Sequence, residues 1–206
     1  MGAILSRKPI GDELTTQSLI VQNFADTWFR LSLGNNKHGA QAMRDLLIKD
    51  FKIQKDGKLL HSWIEKALRK RSNIFPPYVL KNLLGQCQKG CNRPCNEETY
   101  LENLDITSLA GIFNKAEIII PSDVLSADEI KKLKEKYQKH VNSLTAERNN
   151  LAHDTYKEKI QNNEFETRWT KIRNTLKGMD YDEIQSFDDL KSCPLDSNVD
   201  LSLIHI

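Results

Sequence analysis

Ile130, Leu133, Tyr137, Val141 and Leu144 recur at steps of three and four residues. That period commits the middle of the chain to one long amphipathic helix. Ser126 and Glu129 stand at the spacing of a capping box, so the helix is expected to start there. Lys131, Lys132, Lys134, Lys136 and Lys139 fall on its outer side, where a solvated face is the plainest reading. The next position along the apolar stripe is Arg148. A guanidinium buried alone is costly, so it should meet an acid, a phosphate or a water-filled groove. His153 follows five residues later, and at about 100° per residue the two side chains lie roughly 140° apart on a straight helix. They converge only if the helix ends or kinks there, or if both face a cleft shared with a second copy.

Other segments repeat the same logic. Asp12 can cap a first helix to about Leu33, with Leu14, Ile20, Val21, Phe24, Trp28 and Leu31 inward and Gly34 stopping it. A second helix is expected from about His38 to Lys49, with Ala42, Met43, Leu46 and Leu47 inward. A third, from about Leu59 to Arg71, places Leu60, Trp63, Ile64, Ala67 and Leu68 on one side. Its end, Lys66-Arg69-Lys70-Arg71, reads as a solvated cluster favoured by the helix dipole, with an RNA-facing patch as the alternative. Pro76-Pro77 breaks the pattern, and a short helix from Tyr78 to Leu84 follows. Asp105 can cap a helix to about Ala116 that buries Leu109, Ile112 and Phe113, and Pro121 then opens a loop. Asn162 or Asn163 caps the last strong helix, where Phe165, Trp169, Ile172 and Leu176 face inward and Gly178 ends it. A weaker helix spans about Tyr181 to Leu190. No strand alternation holds beyond four residues, so the fold expected is an all-helical bundle with one long central helix.

Lys+Arg of 30 against Asp+Glu of 28 gives a net charge of +2. There is no global basic field to attract nucleic acid, so any such contact must be local. No apolar run reaches the ~18 to 20 residues of a membrane span, and no cleavable signal opens the chain, which points to a cytoplasmic protein. Met1-Gly2-Ala3-Ile4-Leu5-Ser6 fits the acceptor pattern for myristoylation at Gly2. One acyl chain would give only weak, reversible membrane contact. Cys87, Cys91 and Cys95 lie at four-residue steps in a loop with Gly and Pro. Structural zinc needs four ligands and no fourth stands nearby, so reduced thiols and no metal are expected. Nothing in the chain calls for a small-molecule cofactor.

Arg148-Asn149-x-x-x-His153 near the end of a long helix resembles the signature of HEPN domains, small all-helical domains associated with nucleic acid. Two flanking blocks add to the likeness: Leu104-Asp105-Ile106-Thr107-Ser108-Leu109 upstream, and Phe165, Trp169, Ile172 and Leu176 downstream. Together they resemble the HEPN type found in DAZ-interacting zinc-finger ubiquitin ligases and in invertebrate proteins of innate-immune-receptor type, over roughly residues 20 to 190. The resemblance implies a HEPN-like bundle, RNA as a partner, and a homodimer. In catalytic relatives two Arg/His sets share one cleft as a metal-independent endoribonuclease. Carried over, Arg148 would stabilise phosphate, Asn149 would support it, and His153 would do acid/base work, while Lys139 and His140 join Arg148 as RNA contacts. The chemistry suits these residue types, since an imidazole titrates near neutral pH and a guanidinium offers a fork to phosphate. The other readings are a non-catalytic RNA-binding module and a protein-interaction or dimerisation module.

The organisation expected is an N-terminal segment over 1–11, a HEPN-like domain over 12–191 and a polar tail from 192 to 206. Leu201-Ser202-Leu203-Ile204-His205-Ile206 resembles the read-through translation of a transposase sequencing adaptor. On that reading the chain is the amino-terminal part of a larger signalling or ubiquitin-ligase-type protein.

Overall fold

A computed structural model of the chain describes residues 26–53, 58–71, 73–80, 83, 101–153 and 160–192. Gly2, Asp12, the start of the first helix, the loop of Cys87, Cys91 and Cys95, and the tail from 193 onward lie outside these residues. In chain order the helices are α1 (26–33), α2 (Ala40–Lys49), α3 (Lys58–Lys70), α4 (77–80), α5 (Ile106–Asn114), α6 (Ala116–Ile119), α7 (Ala127–His153), α8 (Asn162–Gly178) and α9 (Ile184–Leu190). Every regular element among the described residues is helical, so the fold is all-α.

The central helix forms as its sequence requires. The Glu129 carboxylate accepts from the Ser126 N–H at 2.8 Å, and the Ser126 hydroxyl accepts from the Glu129 N–H at 3.3 Å. Ile130, Tyr137, Val141, Leu144 and Leu151 are buried, and α7 packs on α5 and α8. The α8 stripe of Phe165, Trp169, Ile172 and Leu176 faces inward as expected, as do Met43 and Leu47 of α2 and Leu60 and Ile64 of α3. Arg173 clamps α8 to α9 through a forked pair with Asp188, with contacts of 2.6 to 2.9 Å.

Gly34 does not stop the first helix. Residues 26–49 form one continuous rod in which Gly34–Gly39 adopt a π-helical turn. Gly34 takes no left-handed conformation; it is small because a Cβ there would come within 2.9 Å of the Phe187 ring. Phe187 is fully buried and stacks on Trp169, so this close approach seats α9 against the rod. The wider turn also brings two polar residues inside. His38 shares a 3.0 Å hydrogen bond with the Tyr181 hydroxyl, and the Asn35 amide N–H donates to the Leu144 carbonyl at 3.4 Å. The imidazole and the amide nitrogen each meet a partner, while the buried Asn35 side-chain oxygen has none among the described residues.

Smaller differences lie at helix ends, where periodicity says least. Asp105 caps α5 at Ile106 as expected, but the helix ends at Asn114, breaks at Lys115 and resumes as the separate turn α6. The residue before α8 is Gln161, with no side-chain cap; Asn163 instead accepts from the adjacent Glu164 N–H. The last helix starts at Ile184, three residues after Tyr181.

Candidate functional site

The turn before α5 meets Arg148 of α7, and α2 holds that turn in place. From α2, Arg44 donates to the Leu101 carbonyl at 2.8 Å and to the Leu104 carbonyl at 3.0 Å, pinning the turn that leads into α5. That turn presents Asp105. One carboxylate oxygen caps α5 by accepting from the Ser108 N–H at 2.8 Å, as expected of a cap. The other lies 3.8 Å from the Arg148 guanidinium. Asp105 thus divides its charge between a helix end and the motif arginine.

At 3.8 Å the pair is an electrostatic contact and not a hydrogen bond. Arg148 also donates to the Asn149 side-chain carbonyl at 3.5 Å, the outer limit of such a bond. Its side chain is 30% exposed. A guanidinium has five N–H donors, so most of this fork is still open to an acceptor. Asn149 is exposed and steadies Arg148. His153 is exposed as the last residue of α7.

Arg148 and His153 share one unbroken helix, so the angular argument applies and the two side chains project about 140° apart. Within one chain α7 does not bring them to a common point. Lys139 and His140 are also on other faces. Lys139 is exposed and lies about 180° around α7 from Arg148. His140 is half-buried against Gly178 of α8, with no room between for a Cβ. Burial, reinforced by Lys139, lowers the His140 pKa against a smaller opposing pull from Asp180. The Gly178 that the sequence marks as a stop is also the floor for this imidazole.

The seam position assigned to Arg148 belongs to its neighbour. Glu147 is 2% exposed and accepts from Arg168 of α8 at 2.6 Å, with Lys171 4.0 Å away. Both 147 and 148 continue the spacing from Leu144, and a step of one residue turns the helix by about 100°. Position 147 therefore faces α8 while position 148 faces α5. The available signal was Arg168, a cation placed directly before the inward-facing Trp169.

Beside the Asp105–Arg148 pair an open cleft of about 600 Å³ runs along α5. Thr107 of the first turn of α5 and Thr145, one turn before Arg148 on α7, line one end. Asn114 and Lys115 line the other. A second hollow of about 330 Å³ shares Asn73, Ile74 and Lys115 with it and adds Arg71 from the exposed basic end of α3. Among the described residues no group of three His, Cys, Asp or Glu side chains is placed to hold a metal ion, and no helix is long and apolar enough to cross a membrane. Comparison with protein-family models, curated proteins and solved structures finds no match to this chain.

Proposed function

We propose that this chain is an RNA-associated domain of HEPN-like type that works as a pair of copies and contacts phosphate through Arg148. One observation carries the reading: Arg148 is held in place by Asp105 and Asn149 yet keeps most of its donors and 30% of its surface free. A phosphate offers better-matched acceptors than a carboxylate 3.8 Å away that is already capping a helix. The motif resemblance set out above supports the same assignment.

The catalytic form of this reading adds His153. One imidazole takes the proton of a ribose 2′-hydroxyl, whose oxygen attacks phosphorus. The bond to the 5′-oxygen breaks, and a second imidazole protonates that oxygen. The product is a 2′,3′-cyclic phosphate, and Arg148 meets the charge that builds on the non-bridging oxygens. Because Arg148 and His153 diverge on one straight helix, this chemistry needs the Arg148 of one copy beside the His153 of another. A module that binds or dimerises without cleaving is the second reading, favoured by the same divergence.

The test is to incubate the full chain with single-stranded RNA and to measure binding, cyclic-phosphate product and oligomeric state for Arg148→Ala and His153→Ala. Product that disappears in both variants supports cleavage. Binding lost only in Arg148→Ala supports a non-catalytic RNA module. RNA behaviour unchanged in both, with Arg148→Ala dimers falling to monomers, overturns the RNA reading in favour of assembly.

A further inference from the structure

We infer that the cleft along α5 is a seat for a short stretch of single-stranded RNA, with a base stacked on Tyr78 and flanking phosphates held by Lys115 and Arg71 at one end and Arg148 at the other. The inference rests on the RNA reading above and adds where the strand lies and how its bases are held.

Tyr78 is 60% exposed, the one large hydrophobic side chain left so open among the described residues. It stands on the rim of the cleft, above a floor that includes Ile74, Val79 and Gly111. An exposed ring beside an apolar floor offers a base the stacking surface that sequence-tolerant single-strand binding uses. On the same wall the Asn114 side-chain oxygen already accepts from Gln138 at 3.1 Å, so its amide N–H group is what it can offer a base.

Charge distinguishes this cleft from a hollow on another face. The hollow of about 280 Å³ between α2 and the end of α8 is lined by Asp45, Asp50, Asp180 and Asp182 against two lysines. Among the described residues the walls of the α5 cleft and of the hollow that continues it carry Lys115 and Arg71 and no carboxylate, while Asp105 stands beside Arg148. Arg148 lies one turn beyond Thr145, at the opposite end of α5. The nine residues of α5 span about 13 Å, so the cations stand at the two ends of a strand-sized trough and not in one patch. A folded duplex would meet such a trough poorly, whereas an unpaired strand can lay bases on the ring and phosphates on the ends.

The experiment is fluorescence anisotropy of the full chain with a labelled single-stranded RNA and with a duplex of equal length, at several salt concentrations. Tyr78→Ala should weaken single-strand binding roughly 5- to 150-fold with little change in salt slope, and Tyr78→Phe should restore it. Lys115→Gln should flatten the slope of log affinity against log salt by about 0.7. Tyr78 and Lys115 are not in the core, so circular dichroism of each variant should match the parent. If Arg148→Ala abolishes binding while the Tyr78 and Lys115 variants bind as the parent does, the cleft is overturned and the RNA reading stands. If the parent chain binds no RNA, both fall. Binding that is equal for duplex and single strand, or that an acidic peptide displaces from the parent and Tyr78→Ala alike, also overturns the cleft, since charge alone would then explain it.

Discussion

Glu147→Gln should be among the costliest single changes in this chain, although it touches no part of the candidate site. Glu147 is 2% exposed and Arg168 11%, joined at 2.6 Å across the contact between α7 and α8. Neutralising the acid takes the 2.6 Å counter-charge away from a nearly buried guanidinium. Breaking a buried pair from one side costs about 3 to 5 kcal/mol. Glu164 still reaches Arg168 at 3.3 Å from a half-exposed position, which favours the low end, about 3 kcal/mol. For a chain of this size that is a fall in Tm of roughly 6 to 12 °C. Arg148→Ala, one residue on, should cost less than about 1 kcal/mol, because its pair with Asp105 is long and partly solvated. Urea unfolding followed by far-UV circular dichroism gives both values. The double variant Glu147→Leu/Arg168→Leu should recover much of the loss, since a packed apolar pair can replace a buried ion pair. A Glu147→Gln variant no less stable than Arg148→Ala would refute the assignment of 147 to the seam and restore the expectation that 148 is the buried position.

Asp105→Asn keeps an acceptor for the α5 cap but removes the charge facing Arg148, so RNA should bind more tightly with little loss of stability; weaker binding in an anisotropy titration would contradict the proposed role of Arg148. Gly34→Ala should destabilise by about 1 to 3 kcal/mol in the same urea assay, because its Cβ would press on the buried Phe187 ring. Burial chiefly, with Lys37 adding, lowers the His38 pKa, so the folded chain resists a proton that the unfolded chain accepts. Stability from His38 is therefore fully present above about pH 6.5 and is lost as the pH falls through the lower folded value, with His140 acting in the same direction. Tm measured between about pH 7.5 and about pH 5 should drop, and His38→Gln should drop less over that interval; equal drops would remove His38 as a cause.

Where two signals agreed, the sequence reading held. The capping box and the apolar stripe both describe α7, and the α8 stripe needed nothing beyond its period. Gly34 failed because the same residue type serves two physical ends: a glycine can terminate a helix by turning left-handed, or it can let a ring from elsewhere approach. Nothing local distinguishes them, since Phe187 lies 153 residues away in the chain. Arg148 failed for a related reason. A stripe advancing by three or four residues leaves two candidates at each step, and only the charge on the neighbouring helix decides between them. Arg168 on α8 selects Glu147, and Asp105 before α5 then receives Arg148. The motif arginine is accessible because its neighbour took the buried position. A cation at the seam would have been committed to protein contacts, whereas one turned about 100° away is steadied by a single carboxylate and still open to a phosphate.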